Sequence, residues 1–139
     1  MKTKILFILF FSVVIISCND FSSDVDCSTY DFSDCNTIEP TEGEMYLKLS
    51  INNDNKSIPV AFYRGKLEDN ALLFYDTLTK EYFDTLLPVG NYYTVTAEYL
   101  KDGKKIIAVD GDNITKKRSN VCDSICWEVK TGSVNLRLK

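Results

Sequence analysis

The strongest constraint on the fold is a series of short apolar runs with two-residue alternation, which begins at Met45 and continues to the C-terminal end. Leu47, Leu49 and Ile51 alternate with polar residues, and turn-forming clusters separate such runs at intervals of about ten residues. No stretch keeps a helical period over three turns. The pattern predicts an all-β domain, an antiparallel sandwich of seven or eight strands, over residues 45–139.

The second apolar run carries a proline that bears on its place in a sheet. Ile58, Val60 and Phe62 alternate and should share one face of a strand. Pro59 lies near its start, and proline cannot donate a hydrogen bond to a ladder. We therefore expect this strand at the edge of its sheet.

The run 92–101 is predicted to be the longest strand, with Val95 and Ala97 in the core. Adjacent strand residues point to opposite faces. Tyr92 and Tyr93 must therefore face opposite sides, and one of the two rings should be exposed unless another part of the chain covers it.

The C-terminal third is predicted from its turn signals. Asp102-Gly103 lies between two runs with β character, which is a strong signal for a hairpin with a return strand over 104–110. Residues 111–120 are polar and basic, and we expect a loop there. Residues 125–129 and 134–138 should form a closing hairpin.

A targeting segment precedes the predicted domain. Lys2 and Lys4 form a short basic start, and an apolar run follows over 5–16. A run of about twelve residues is too short to span a bilayer as a mature helix. Residues 1–17 are therefore predicted to be a secretory signal peptide.

The end of this signal, Ile15-Ile16-Ser17-Cys18, resembles the lipobox of bacterial lipoproteins. The resemblance implies that Cys18 is diacylated on sulfur and becomes the acylated mature N-terminus, so that the protein is held at the membrane by lipid. It also implies an outer-membrane lipoprotein of the cell envelope, either periplasmic or surface-exposed. An ordinary signal with an incidental cysteine and a core strand are the alternatives.

Residues 18–44, which we call the acidic tether, differ in composition from the domain that follows. They hold eight Asp and Glu and no Lys or Arg, and the whole chain has 16 basic and 20 acidic side chains. No basic stripe is present to neutralise phosphates, which argues against nucleic acid as a partner. The absence of His excludes imidazole catalysis and imidazole metal ligation.

Four cysteines remain beside Cys18: Cys27, Cys35, Cys122 and Cys126. In an exported protein an even count indicates two disulfides, and three pairings are possible. A zinc site of four thiolates is the alternative, although the pairs lack Cys-x-x-Cys spacing. In one extended strand Cys122 and Cys126 would be about 13 Å apart, too far to bond unless 123–125 form a turn. Bridges from the tether to the C-terminal run are favoured, and the pairing stays open.

Residues 87–92, Leu-Pro-Val-Gly-Asn-Tyr, resemble the Leu-Pro-x-Gly-x-Tyr turn of prealbumin-like sandwiches. These include the carboxypeptidase regulatory-like and collagen-binding B-type repeats. Residues 58–63 are similar to their second strand, and the match covers residues 45 to about 110. The resemblance implies a prealbumin-like sandwich with Gly90 at a positive φ.

The whole chain also resembles a group of small uncharacterised bacterial lipoproteins of Gram-negative species. They share the order of lipobox, acidic tail with cysteines, Leu-Pro-x-x-x-Tyr-Tyr, Ile-x-x-Asp-Gly-Asp and Cys-x-x-x-Cys. That resemblance implies architecture and no chemistry.

No catalytic residue is predicted. The sequence has no Gly-x-Ser-x-Gly and no His to activate a serine. The segment 110–113, Asp-Gly-Asp-Asn, is similar to the start of a calcium loop, but Ile114 and Thr115 occupy positions where a ligand and glycine belong. We therefore interpret it as a turn after a strand, and predict no metal site and no cofactor.

The sequence predicts a lipid-anchored envelope module that binds a partner or supports an assembly and is not an enzyme. The candidate partners are a glycan and an envelope protein, because exposed tyrosines on a rigid sheet suit stacking on sugars or protein docking. The alternative is a carboxylate-dependent enzyme that acts on glycans. The basic triplet 116–118 is expected to be solvated or to meet the acidic tether.

Overall fold

The protein is described over residues 26–138 by a computed structural model. The predicted signal peptide 1–17 and the predicted lipidation site Cys18 lie outside the described residues. Within the described range the chain forms eight strands and two single-turn 3-10 helices, Phe32–Asp34 and Leu67–Asp69. The strands are β1 (Glu42–Lys48), β2 (Ile58–Arg64), β3 (Leu72–Leu78), β4 (Tyr82–Pro88), β5 (Asn91–Lys101), β6 (Lys104–Val121), β7 (Ser124–Lys130) and β8 (Gly132–Asn135).

The strands form two sheets whose inner faces make one core. The three-stranded sheet has the order β4-β1-β8, and the five-stranded sheet has the order β3-β2-β5-β6-β7. The β1–β8 pair is parallel and the other pairs are antiparallel. The prediction of an all-β, antiparallel sandwich with seven or eight strands is confirmed, with eight strands.

The core is built from alternate residues of both sheets, as the two-residue period requires. On β5, Val95 and Ala97 are fully buried, as predicted, and so is Tyr93. Tyr92 is 38% exposed, so the expectation that one of the two adjacent rings lies outside is confirmed. The same cluster includes Met45, Leu47, Leu49, Ile58, Val60, Phe62, Tyr99, Ile114, Val134 and Leu136.

The turns on either side of β5 match their sequence signals. Gly90 has a φ of 84°, which glycine adopts without a Cβ clash. Asp102 and Gly103 have φ values of 53° and 71°, the positive pair that a type I′ hairpin turn requires. The predicted hairpin between β5 and β6 is confirmed.

The predicted loop over 111–120 is wrong, because these residues continue β6. The strand pairs with β5 as far as Ile114 and then with β7 over Thr115 to Val121. Beyond Ile114, Lys116 to Asn120 of β6 are exposed on both faces of the strand. The strand therefore loses the apolar alternation that would mark it in sequence. At 18 residues β6, not β5, is the longest strand.

The predicted closing hairpin is also wrong, because its two strands belong to different sheets. β7 pairs with β6, whereas β8 pairs in parallel with β1. The chain crosses between the sheets at Thr131, and Gly132 then packs against Met45, whose Cε would lie 2.5 Å from an added Cβ. Alternation predicts that a segment is a strand but not which strand it pairs with, and the predicted β7–β8 pairing was wrong for that reason.

The predicted edge position of β2 is wrong as well, since β2 lies between β3 and β5. Pro59 faces Thr77 of β3, and the pairing with β5 begins only at Val60. The proline therefore lies where the strand has a neighbour on one side only. Its missing N–H is tolerated at this position even though β2 is an internal strand. β1 begins at Glu42, three residues before the predicted start at Met45.

Candidate binding cleft on the three-stranded sheet

The outer face of the three-stranded sheet carries two exposed tyrosines. On β1, Met45 and Leu47 are buried, and alternation turns Tyr46 and Lys48 outward. Tyr46 is 41% exposed, and Tyr82 of β4 is 64% exposed. Large aromatic rings left open on a folded surface are candidates for ligand contact.

Strand register brings these side chains together. Tyr46 lies opposite Asp84 of β4 on one side and opposite Ser133 of β8 on the other. Lys48 lies opposite Tyr82. The two tyrosines are therefore diagonal neighbours, a separation that aromatic side chains can bridge.

The aromatic cleft, as we name it, is a concavity of about 420 Å³. It is lined by Tyr46, Leu47, Lys48, Tyr82, Phe83, Asp84 and Ser133. The volume lies within the usual range of small-molecule sites, about 300–1,000 Å³. Because each residue stands on a paired strand, the backbone fixes their relative positions.

Tyr46 is held in place by a neighbouring carboxylate. Its hydroxyl donates a hydrogen bond to Oε2 of Glu44, two residues earlier on the same face. This bond, together with partial desolvation and the negative charges of Glu44 and Asp84, raises the pKa of Tyr46 above its ordinary value. The ring therefore carries a neutral hydroxyl and faces the cleft with an orientation already restricted.

Three polar side chains in the cleft have no hydrogen-bond or ion-pair partner among residues 26–138. In the part of the chain from 26 to 138, the Asp84 carboxylate accepts no hydrogen bond and Lys48 forms no ion pair; the two ion pairs there join Lys105 to Glu98 and Lys116 to Glu39. The Ser133 hydroxyl is likewise unused, while its backbone N–H donates to Asp112 Oδ2 at 3.0 Å. An acceptor, a cation and a hydroxyl thus border two aromatic rings.

A second open surface lies on the outer face of the five-stranded sheet. Tyr75, Ile107 and Val109 are exposed there, and Lys105 and Glu98 are paired at 2.7 Å. A further concavity of about 460 Å³ lies at one end of this face. Among the described residues that line it, Tyr92 supplies one aromatic ring, the Thr94 hydroxyl donates to the carbonyl of Gly65, and Asp110 accepts from the N–H of Asn135. It therefore offers one ring for stacking, where the aromatic cleft offers two tyrosines.

The segment Asp110-Gly111-Asp112-Asn113 is neither a turn nor a cation loop. It lies inside β6, and its two carboxylates point toward β8 of the other sheet. Asp110 Oδ2 accepts from the N–H of Asn135 at 2.7 Å, and Asp112 binds Ser133 in the same way. Among the described residues no three His, Cys, Asp or Glu side chains are grouped to hold a metal. The carboxylates serve the backbone of β8, which explains the sequence pattern.

The four predicted bridging cysteines form two disulfides. Cys27 is bonded to Cys122 with Cα atoms 5.4 Å apart, and Cys35 to Cys126 at 4.9 Å. Both bridges join the tether to the β6–β7 hairpin, the arrangement that the sequence favoured. Disulfides of this kind indicate an extracytoplasmic compartment.

The tether is also held by noncovalent contacts beside the bridges. Asn36 forms a β-bridge with Trp127 of β7. Lys116 forms an ion pair with Glu39, and its ammonium lies 5.4 Å from the centre of the Trp127 ring. The expectation that the basic triplet meets the acidic tether is therefore confirmed at Lys116.

The sequence prediction did not single out the aromatic cleft. The alternation of Met45, Leu47 and Leu49 places Tyr46 on the outer face and could have identified one wall. Tyr82 and Asp84 carry no such signal, because their position beside Tyr46 depends on the pairing of β1 with β4.

Comparisons with known proteins give no relative for this chain. No family model, no curated protein and no solved structure matches it. Over residues 26–138 the structure contains no helix with the length and hydropathy needed to cross a membrane.

Proposed function

We propose that this protein is a lipid-anchored lipoprotein of the bacterial outer membrane that binds a ligand through the aromatic cleft. The lipid on Cys18 would hold the chain at the envelope, on its periplasmic or surface side. The rigid sandwich would then present the cleft to a glycan or an envelope protein. The two disulfides support the extracytoplasmic part of this proposal.

The observation that supports a binding role is that three polar side chains of the cleft are without partners among the described residues. Within residues 26–138, the side chains of Asp84, Lys48 and Ser133 have no partner to release before a ligand can bind them. The neighbouring tyrosines add apolar contact at low conformational cost, because a tyrosine has only two side-chain torsions to fix. Binding would therefore require little rearrangement of the protein.

The same geometry favours binding over glycan cleavage. Glycosidases use two carboxyl groups, one to donate a proton and one to attack or activate water. Of the two carboxylates beside Tyr46, Glu44 is engaged by the tyrosine hydroxyl. Among the described residues that line the cleft, Asp84 is the one free carboxylate. We therefore propose a binding module rather than an enzyme.

Anchoring is tested by changing the proposed acylation site. In the native host, wild-type protein should partition into detergent, and its mature mass should include acyl chains. Cys18→Ser should abolish both properties, whereas Asn19→Ser, which leaves the cysteine, should retain them. An unmodified, detergent-independent mature protein in wild-type cells would exclude lipid anchoring.

Binding through the cleft is tested with protein extracted in mild detergent and added back to isolated envelopes of the host. Tyr82→Ala should lower the bound fraction about tenfold, since aromatic contacts at the centre of a site often contribute more than 1 kcal/mol. Tyr75→Ala removes an equally exposed tyrosine from the other sheet and should bind like wild type. Equal binding by both variants would contradict a role for the cleft.

A further inference from the structure

We propose that the ligand of the aromatic cleft is a chain of neutral hexopyranose or pentopyranose sugars; this inference rests on the proposed function. The first support is the pair of tyrosines. A pyranose ring has faces of C–H groups, which pack on aromatic rings, and an equatorial belt of hydroxyls. Tyr46 and Tyr82 offer two such rings in diagonal register across neighbouring strands.

The second support is the chemistry of the remaining groups. Sugar hydroxyls donate and accept hydrogen bonds at the same time. The Asp84 carboxylate can accept from them, and the Lys48 ammonium and the Ser133 hydroxyl can donate to them. Hydrogen bonds to charged groups are stronger than those between neutral groups, so Asp84 and Lys48 would contribute most.

The third support is the charge balance around Tyr46, which selects against anionic ligands. Glu44 and Asp84 both act on the Tyr46 hydroxyl as negative charges, and Lys48 is the one cation among the described residues that line the cleft. Phosphate groups or uronic acids would meet net negative charge there. A neutral polyhydroxyl chain meets no such penalty.

The fourth support is the restricted state of Tyr46. Its hydroxyl already donates to Glu44, so the ring is positioned before a ligand arrives. A peptide that added a strand would instead pair with the free edge of β4 and would not need the outer face. The groups of the aromatic cleft point away from that edge, on the face, where a flat ring can lie.

The inference is tested by calorimetry on the full-length protein in mild detergent. The probes are the hexasaccharides of maltose, cellulose, xylan, mannan and laminarin type, with hexagalacturonate as the acidic comparison. At least one neutral probe should bind, and hexagalacturonate should bind more weakly. Tyr82→Ala and Asp84→Ala should each weaken that binding about tenfold or more. Tyr75→Ala and Asp54→Ala are the matched controls and should bind within about twofold of wild type.

The inference is overturned if no neutral probe binds, if hexagalacturonate binds as tightly as the neutral probes, or if Tyr82→Ala leaves affinity unchanged. Circular dichroism of each variant verifies that the fold is retained. Loss of envelope binding in Tyr82→Ala without any neutral sugar binding would overturn the glycan and leave the binding module standing, with a protein as its ligand. Unchanged envelope binding in that variant would refute the proposed function itself.

Discussion

Buried tyrosines set the chemistry of the core at the scale of single residues. The Tyr93 ring is fully buried, and its hydroxyl donates to the carbonyl of Pro88 at 2.6 Å. Tyr99, toward the other end of β5, is also buried, and its hydroxyl accepts from the N–H of Ser50 at 3.1 Å. Burial is the main cause that raises the pKa of both groups above the ordinary value for tyrosine.

These shifts predict a loss of stability in alkali. Above about pH 10 the unfolded tyrosines lose protons, whereas folded Tyr93 and Tyr99 keep theirs. The folded state then binds more protons, so the free energy of unfolding falls as pH rises. Below that range both states are protonated and the contribution is fully present. Denaturant unfolding between about pH 8 and about pH 11 should show the decline.

Two variants test whether the buried tyrosines cause the decline in the free energy of unfolding at alkaline pH. Tyr99→Phe removes one titrating group and should make the free energy of unfolding depend less on pH in this range. Tyr75→Phe changes a tyrosine that is 71% exposed and should leave the slope as in wild type. A slope that is the same in all three proteins would show that the buried tyrosines are not its source.

At the scale of elements, β8 is completed by side chains in place of a second neighbouring strand. It pairs with β1 on one side, and no strand of residues 26–138 pairs with it on the other. There its backbone donates to Asp110 and Asp112 of β6. The two carboxylates thus take the place of a neighbouring strand and connect the two sheets. They occupy backbone N–H groups of β8 that another chain could otherwise pair with.

Removing one of these carboxylates should destabilise the fold. Asp110→Ala removes the acceptor of the Asn135 N–H, a bond between exposed groups, and should lower the free energy of unfolding by about 1 kcal/mol. Asp110→Asn retains a side-chain oxygen and should cost less. Asp54→Ala, an exposed change outside the strands, should stay within about 0.5 kcal/mol. Chemical denaturation measures all three, and an Asp110→Ala as stable as Asp54→Ala would contradict the role assigned to the carboxylate.

The strands and turns also show which features could be predicted from the sequence. Val95, Ala97 and the Asp102-Gly103 turn follow from local alternation and turn chemistry, and local signals were sufficient for them. The second half of β6 has no buried face, so its residues carry no strand signal. The aromatic cleft and the pairing of β8 with β1 depend on contacts between distant segments, such as Tyr46 with Asp84, which no local pattern encodes.

At the scale of the whole molecule, two disulfides tie the first described residues to the last hairpin. The bridged cysteines are 95 and 91 positions apart in sequence. In the chain-entropy model a first bridge of this length stabilises by about 4 to 5 kcal/mol. The second then closes only a short loop of about fourteen residues between the two bridges, which contributes about 3 kcal/mol.

This nesting predicts a specific departure from additivity. Cys27→Ser/Cys122→Ser and Cys35→Ala/Cys126→Ala should each cost about 3 kcal/mol, because the remaining bridge still closes the long loop. The variant without all four cysteines should cost more than the sum, by about 1 to 2 kcal/mol. Guanidinium unfolding of the three variants tests this. Costs that simply add would mean that the bridges act independently.

The bridges also change how far the domain could move from the membrane. If lipid holds Cys18, the segment between the lipid and the first bridged residue ends at Cys27, and not at Met45, where alternation begins. Fully extended, nine residues reach about 30 Å, whereas the twenty-seven from Cys18 to Met45 would reach about 90 Å. The volume open to the domain would shrink by more than tenfold, which raises its effective concentration for envelope components near the bilayer. Reduction of the bridges would let this segment lengthen as far as Asn36, where the β-bridge to Trp127 still holds the chain.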